Sequence, residues 1–146
     1  MALQRIRESL EKGVSFDEAL DTVRRSTVFT THTPVPAGHD AFAFHMVDHH
    51  LSSSWGSMNG QSEKFLALGH HDSGNGAQFN MTALAMRSAG AINAVSELHG
   101  EVTRTMWRPM WPEIPADKIP VRSITNGVHV PTWMAGSVFE LLNKHF

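Results

Sequence analysis

Apolar positions recur first at helical spacing and then at strand spacing along this chain. Leu3, Ile6 and Leu10 fall on one face of a helix that Gly13 stops. Ser15 opens a second helix. Its hydroxyl can cap the free N–H groups of the first turn, and Glu18, three residues on, completes a capping box. Phe16, Ala19, Leu20 and Val23 form the apolar face. The β-branched and aromatic run Thr27-Val28-Phe29-Thr30-Thr31 predicts a short buried strand. It breaks at His32-Thr33-Pro34-Val35-Pro36-Ala37-Gly38-His39-Asp40, where two prolines and a glycine exclude regular structure and fix a shaped loop.

Further along, the pattern predicts a helix over 41–55, a linker over 57–61, and a short helix over 62–68 with Ser62 as its cap. The stretch 69–76, GHHDSGNG, reads as an exposed, mobile loop. A helix follows over 80–88 with Met81, Leu84 and Ala85 inward, then a strand over 91–95 and a helix over 97–107 ended by Pro109 and Pro112. A third strand over 121–125 precedes Asn126-Gly127, and a last helix covers 132–143. Strands alternating with helices predict βαβ units, a parallel sheet and the α/β class. In such sheets ligands bind beyond the carboxyl ends of the strands, which singles out His32 and Asn126.

Composition narrows the options. The chain has 146 residues, enough for one domain or a segment of a larger one, and its 41% hydrophobic and 18% charged content supports a buried core. The net charge of -2 provides no basic patch for nucleic acid or an anionic membrane. Without cysteine there is no disulfide framework and no thiolate metal site. The opening MALQRIRESLEKG lacks the apolar core of a secretory signal, and no apolar run approaches the roughly 20 residues that span a bilayer. These features point to a cytoplasmic protein.

Several motifs carry two readings each. The 32–40 loop is either a rigid ligand loop, with His32, His39 and Asp40 as polar heads, or a turn with Asp40 capping the next helix. Asn126-Gly127 is either a hairpin turn or the site of an amide that bonds a hydroxyl-rich ligand. His45 and His49 have the i, i+4 spacing that can share a metal with His50 nearby and Asp48 as a further ligand, or they are a solvated helix face. The same alternatives hold for His70-His71-Asp72. Leu98-His99-Gly100-Glu101 reads as a catalytic acid at a helix start or as packing around a satisfied histidine. Gly74-Asn75-Gly76 is too short for a phosphate loop, and no serine nucleophile elbow is present.

Four stretches, in order, resemble the α-glucan phosphorylases of bacteria and archaea. They are Val28 through Phe42 (VFTTHTPVPAGHDAF), Phe79 through Arg87 (FNMTALAMR), Asn93 through Val102 (NAVSELHGEV) and Ile124 through Trp133 (ITNGVHVPTW). The resemblance implies a retaining transfer of glucose from the end of an α-1,4-glucan to phosphate, between two Rossmann-like domains of the GT-B type. On that basis 1–146 is a single segment of the amino-terminal domain, with 1–26 as a helical lead-in and 27–146 as the glucose-site segment. His32 would be the catalytic residue: its side chain meets the glucose 6-hydroxyl, and its carbonyl faces the charge developing at the anomeric carbon. Thr33 and Gly38 would line the same subsite, and Asn126 would hold the 6-hydroxyl, which favours the ligand reading of Asn126-Gly127. Fixed dipoles of this kind suit an oxocarbenium-like centre. Ala94 departs from the family, which has glycine there.

The family also uses pyridoxal phosphate on a lysine of its carboxyl-terminal domain. Lys12, Lys64, Lys118 and Lys144 match no such context, so the cofactor domain is expected outside this chain and no cofactor-binding or metal residue is expected within it. The implied partners are the glucan, phosphate, the missing carboxyl-terminal half and further copies of a full enzyme. A stand-alone, inactive carbohydrate-binding module and a histidine-rich metal-binding protein are the alternatives.

Overall fold

The computed structural model describes residues 1–58, 60–74 and 76–146; Asn59, in the expected linker, and Asn75, in the expected mobile loop, lie outside the described residues. Two helices open the chain, α1 (Ala2–Leu10) and α2 (Phe16–Arg25). The capping box forms as expected: the Glu18 N–H donates to Ser15 Oγ at 3.3 Å, and the Ser15 N–H donates to Glu18 Oε2 at 3.3 Å. The predicted apolar faces of both helices are buried together, with Phe65, Leu68 and Phe79 added from later elements.

Strands β1 (Val28–Thr31), β5 (Ala91–Ala94) and β6 (Val121–Ser123) form a parallel sheet in the order β1-β5-β6. The parallel arrangement and flanking helices agree with the α/β expectation. Helix α6 (Glu97–Met106) follows β5, and its cap is the Ser96 hydroxyl, which accepts from the His99 N–H at 3.1 Å. Arg104 of α6 donates to the Val121 carbonyl at 3.0 Å, tying the helix to β6. A second core gathers Ala83, Met86, Ile92, Ala94, Trp107, Ile119 and Val121. Ala94, where the resemblance implies glycine, is fully buried there.

Several expectations need correction. Residues 41–55 are not one helix: β2 (Ala41–Phe42) precedes α3 (Phe44–Trp55) because its backbone pairs with Phe79–Asn80. Ser62 does not cap α4 (Ser62–Gly69); it is the first helical residue, and no side chain caps that end. Within the expected loop 69–76, Gly69 ends α4 and residues 70–72 form a hairpin arm, while 73, 74 and 76 carry no strand. Strand β3 (His70–Asp72) pairs antiparallel with β4 (Ala77–Asn80), and β4 also pairs with β2 in a second sheet. Asp72 Oδ1 accepts from the Gly74 N–H at 2.8 Å and the Gly76 N–H at 3.2 Å, and both glycines take the positive φ that such a turn requires.

Helix α5 (Met81–Arg87) turns Thr82, Ala83 and Met86 inward, whereas Met81 is exposed. It lies between both cores, so its buried surface is wider than one amphipathic stripe: Leu84 packs on one core and Ala83 and Met86 on the other. The final helix is two, α7 (Val130–Trp133) and α8 (Gly136–His145), separated by the extended backbone of Met134 and Ala135. No hairpin forms at Asn126-Gly127, since residues 124–129 carry no strand. No helix among the described residues is long and apolar enough to cross a membrane.

Candidate functional site at the strand tips

Because β1, β5 and β6 are parallel, their carboxyl ends share one edge of the sheet. His32 leaves the tip of β1 and is exposed. On the far side of β5, the chain after β6 continues alongside β5. The Ile124 N–H donates to the Ala94 carbonyl at 2.9 Å, and the Asn126 N–H donates to the Val95 carbonyl at 3.1 Å. Asn126 is exposed too. Two strand spacings separate the outer strands, roughly 10 Å. The structure thus brings His32 and Asn126 to one open edge. The clefts of about 410 and 570 Å³ that flank the loop have neither residue in their walls.

The backbone at this edge is held from below. The Thr30 hydroxyl donates to Asn93 Oδ1 at 2.8 Å, joining β1 to β5 just before their tips. The Val95 N–H donates to His99 Nδ1 at 3.4 Å, so that nitrogen carries no proton and Nε2 does. That Nε2 is buried without a partner. His99 is therefore the half-satisfied anchor of the β5 tip rather than a fully satisfied core histidine. Gly100 brings α6 against β6 so closely that an added Cβ would collide with the Ser123 hydroxyl.

The 32–40 loop contains one turn of 3₁₀ helix, Pro36–Gly38. Thr33 and Gly38 meet at its neck, where a Cβ on Gly38 would run into the Thr33 methyl. His39, a polar head on the ligand-loop alternative, turns inward. Its Nδ1 hydrogen-bonds the Thr82 hydroxyl at 2.8 Å, and its ring stands edge-on to Trp107 with centroids 5.1 Å apart. Asp40 caps no helix; its carbonyl accepts from the Met81 N–H at 2.9 Å.

Burial pushes the His39 imidazole below its ordinary pKa, opposed by the Thr33 carbonyl and reinforced by His99. His71 is also pushed down, first by burial and then by the Arg87 guanidinium. It is half-buried with its ring 4.8 Å from Trp107, not on a solvated face. The cleft of about 410 Å³ lies between Pro36, His39, His71, Asp72 and Trp107.

His45, His49 and His50 are exposed on α3, and the Asp48 carboxylate offered as a further metal ligand accepts instead from the Trp55 indole at 2.7 Å. Among the described residues, no three His, Cys, Asp or Glu side chains are placed to share a metal ion.

No family model matches the chain. A maltodextrin phosphorylase of Thermococcus litoralis is 46% identical over 142 residues, which are 97% of this chain and 16% of that protein. A glycogen phosphorylase of Mycobacterium tuberculosis is 42% identical over 148 residues, covering 97% of this chain and 17% of the relative. One from Aquifex aeolicus is 33% identical over 143 residues, covering 98% and 20%. The chain therefore spans between 16% and 20% of the length of these curated relatives. Over almost all of its own length, this chain is similar to one segment of the maltodextrin and glycogen phosphorylases, as its four sequence blocks lead one to expect.

Proposed function

We propose that the chain is part of an α-1,4-glucan phosphorylase of GT-B architecture, acting in the cytoplasm, and that it contributes half of a glucose subsite. One observation carries this reading. The bond from the Asn126 N–H to the Val95 carbonyl seats the Asn126 main chain at the tip of β5, opposite the His32 loop on β1. A hexose lying across that edge would meet an imidazole on one side and a carboxamide on the other. The main-chain carbonyl of His32 would supply the fixed negative dipole that an oxocarbenium-like centre gains from. Thr33 and Gly38 would shape the loop's approach to the ring.

The lysines of this segment do not fit a pyridoxal phosphate site. Lys64 is exposed and pairs with Asp17 at 3.3 Å, Lys118 pairs with Asp117 at 3.8 Å before β6 begins, and Lys12 and Lys144 are exposed. The cofactor and the groups that clamp phosphate belong, on this reading, to polypeptide beyond this segment. Half of a cleft forfeits the proximity that gives such reactions much of their rate.

The test exchanges this segment into the Thermococcus litoralis maltodextrin phosphorylase and follows glucose 1-phosphate made from maltodextrin and phosphate. The chimera should be active, and His32→Ala or Asn126→Ala should lower kcat/KM by about 100-fold. Undiminished activity in both variants would remove the basis of the assignment. The 146-residue chain alone, given maltodextrin, phosphate and pyridoxal phosphate, should form no product. Turnover by it would contradict the half-site.

A further inference from the structure

We propose that His39 is a positioning residue for the loop that carries His32: its imidazole closes the neck of the loop and pins it to α5 and to Trp107. The inference rests on the glucose-site reading above, because it concerns what holds that site in shape. The loop leaves β1 at His32 and re-enters the sheet system at β2, so its shape depends on how its two ends meet. They meet at Thr33 and Gly38, in direct contact, and His39 follows at once.

From there its Nδ1 reaches the Thr82 hydroxyl at 2.8 Å, while its ring edge rests against Trp107, which is 2% exposed. The Thr33 carbonyl lies near enough to favour the charged ring, although Nε2 itself is buried without a well-formed bond. One side chain thus joins the end of the loop to the first turn of α5 and to the residue that follows α6.

Besides the Asp40 carbonyl, which accepts from the Met81 N–H at 2.9 Å where the loop ends, the backbone bonds of the loop among the described residues are local. Its own turn has the Gly38 N–H donating to the Val35 carbonyl at 3.2 Å and the His39 N–H donating to the Pro36 carbonyl at 3.1 Å. At its start the Thr33 N–H makes only a long bond to the Thr31 hydroxyl, 3.5 Å. The prolines at 34 and 36 stiffen the loop internally but have no N–H with which to anchor it. The stiffness is local; His39 is the side chain that ties the loop to α5, next to the main-chain bond at Asp40. The titratable groups that face it are His99 from α6 and His71 from β3; burial first, and His99 after it, disfavour the charged form of the His39 ring.

The experiment uses the full 146-residue chain, labelled with ¹⁵N, and compares His39→Phe, His39→Asn and Thr82→Val. Phe keeps the ring against Trp107 and loses the polar contacts; Asn places an amide where Nδ1 was; Val removes the hydroxyl from the other side. Order parameters at Thr33, Val35 and Gly38 should fall from about 0.85 to below about 0.6 in His39→Phe and Thr82→Val. They should stay high in His39→Asn and, in every variant, at Gly100 and Trp107. The Thr33 amide shift should follow the His39 titration in the parent and stop doing so in His39→Phe.

Unchanged loop order in both His39→Phe and Thr82→Val overturns the proposal, as does an equal fall at Gly100 and Trp107, which would mark general loosening. If His39→Phe fails to fold, Thr82→Val still reads the same bond. Titration with maltoheptaose separates the two levels. Binding that weakens about tenfold in His39→Phe supports both, at the upper end of one hydrogen bond's net worth. A parent chain that binds none counts against the glucose reading, and the order parameters then decide the clamp by themselves.

Discussion

The Asn126 N–H donates to the Val95 carbonyl at 3.1 Å, although each residue lies beyond the last paired residue of its own strand. The main chain of Asn126 is thereby fixed while its side chain remains exposed. Asn126→Ala should therefore leave the fold intact, within about 0.5 kcal/mol by urea unfolding, the range of surface substitutions away from special features. A loss above about 2 kcal/mol would make the amide a structural group and not a ligand contact.

A different asparagine should behave in the opposite way. Asn80 is buried at 7% exposure, and its Oδ1 accepts from the Thr82 and Ala83 N–H groups at 2.9 and 3.0 Å. Its removal leaves two N–H groups in a buried setting without their partner, so Asn80→Ala should cost about 2 kcal/mol, the upper end of measured cap losses. Ser15→Ala, at an exposed cap, should cost only about 1 kcal/mol. Equal losses in thermal unfolding would refute the burial argument.

At Gly100 a methyl group would meet the Ser123 hydroxyl. Overpacking costs about 1–3 kcal/mol, and the gain in helix propensity returns up to about 1 of that. With that return in full, Gly100→Ala should destabilise by roughly 0–2 kcal/mol. Adding Ser123→Ala should recover most of the loss, and a double mutant no better than the single would show that another contact is at fault.

Both His39 and His71 titrate below the ordinary imidazole value of 6.5, chiefly because burial disfavours the charged ring. Between the lowered folded value and 6.5, the unfolded chain holds more protons than the folded one. Stability should then be complete above that window and decline as the pH falls through it. Glu18, a carboxylate held below 4.5 by its bonds to Ser15, contributes in the same direction but at lower pH. Urea midpoints at pH 7.5 and 5.5 should differ less in His39→Phe and His71→Phe than in the parent. Identical slopes in all three proteins would contradict the assignment.

Much of this molecule was legible in its residue pattern. Ser15 and Glu18 announced their capping box, because both partners sit within one turn. The three parallel strands were visible in their apolar, β-branched runs. Their tips followed from the general placement of ligands in such sheets. The second sheet was not visible. Ala41 and Phe42 read as helix because nothing nearby opposes it; what makes them a strand is pairing with Phe79 and Asn80, far along the chain. The His70–Asn80 hairpin did leave a trace, an aspartate followed by glycines at the second and fourth places, whose N–H groups fold onto its carboxylate. At the site, the strand tips were readable but the direction of His39 was not. A polar side chain on a loop turns inward only where a partner offsets its lost hydration, and for His39 that partner is Thr82, with Trp107 beside it.

The pairing of β1 with β5 joins residues 63 positions apart, as in the Thr30–Asn93 bond. At a translation speed of about 5–20 residues per second, β1 emerges roughly 3–13 s before its neighbour. For that interval the edge of β1 that faces β5 lacks the partner it has in the folded chain. A force-sensitive arrest assay should accordingly report no sheet formation until β5 has cleared the exit tunnel.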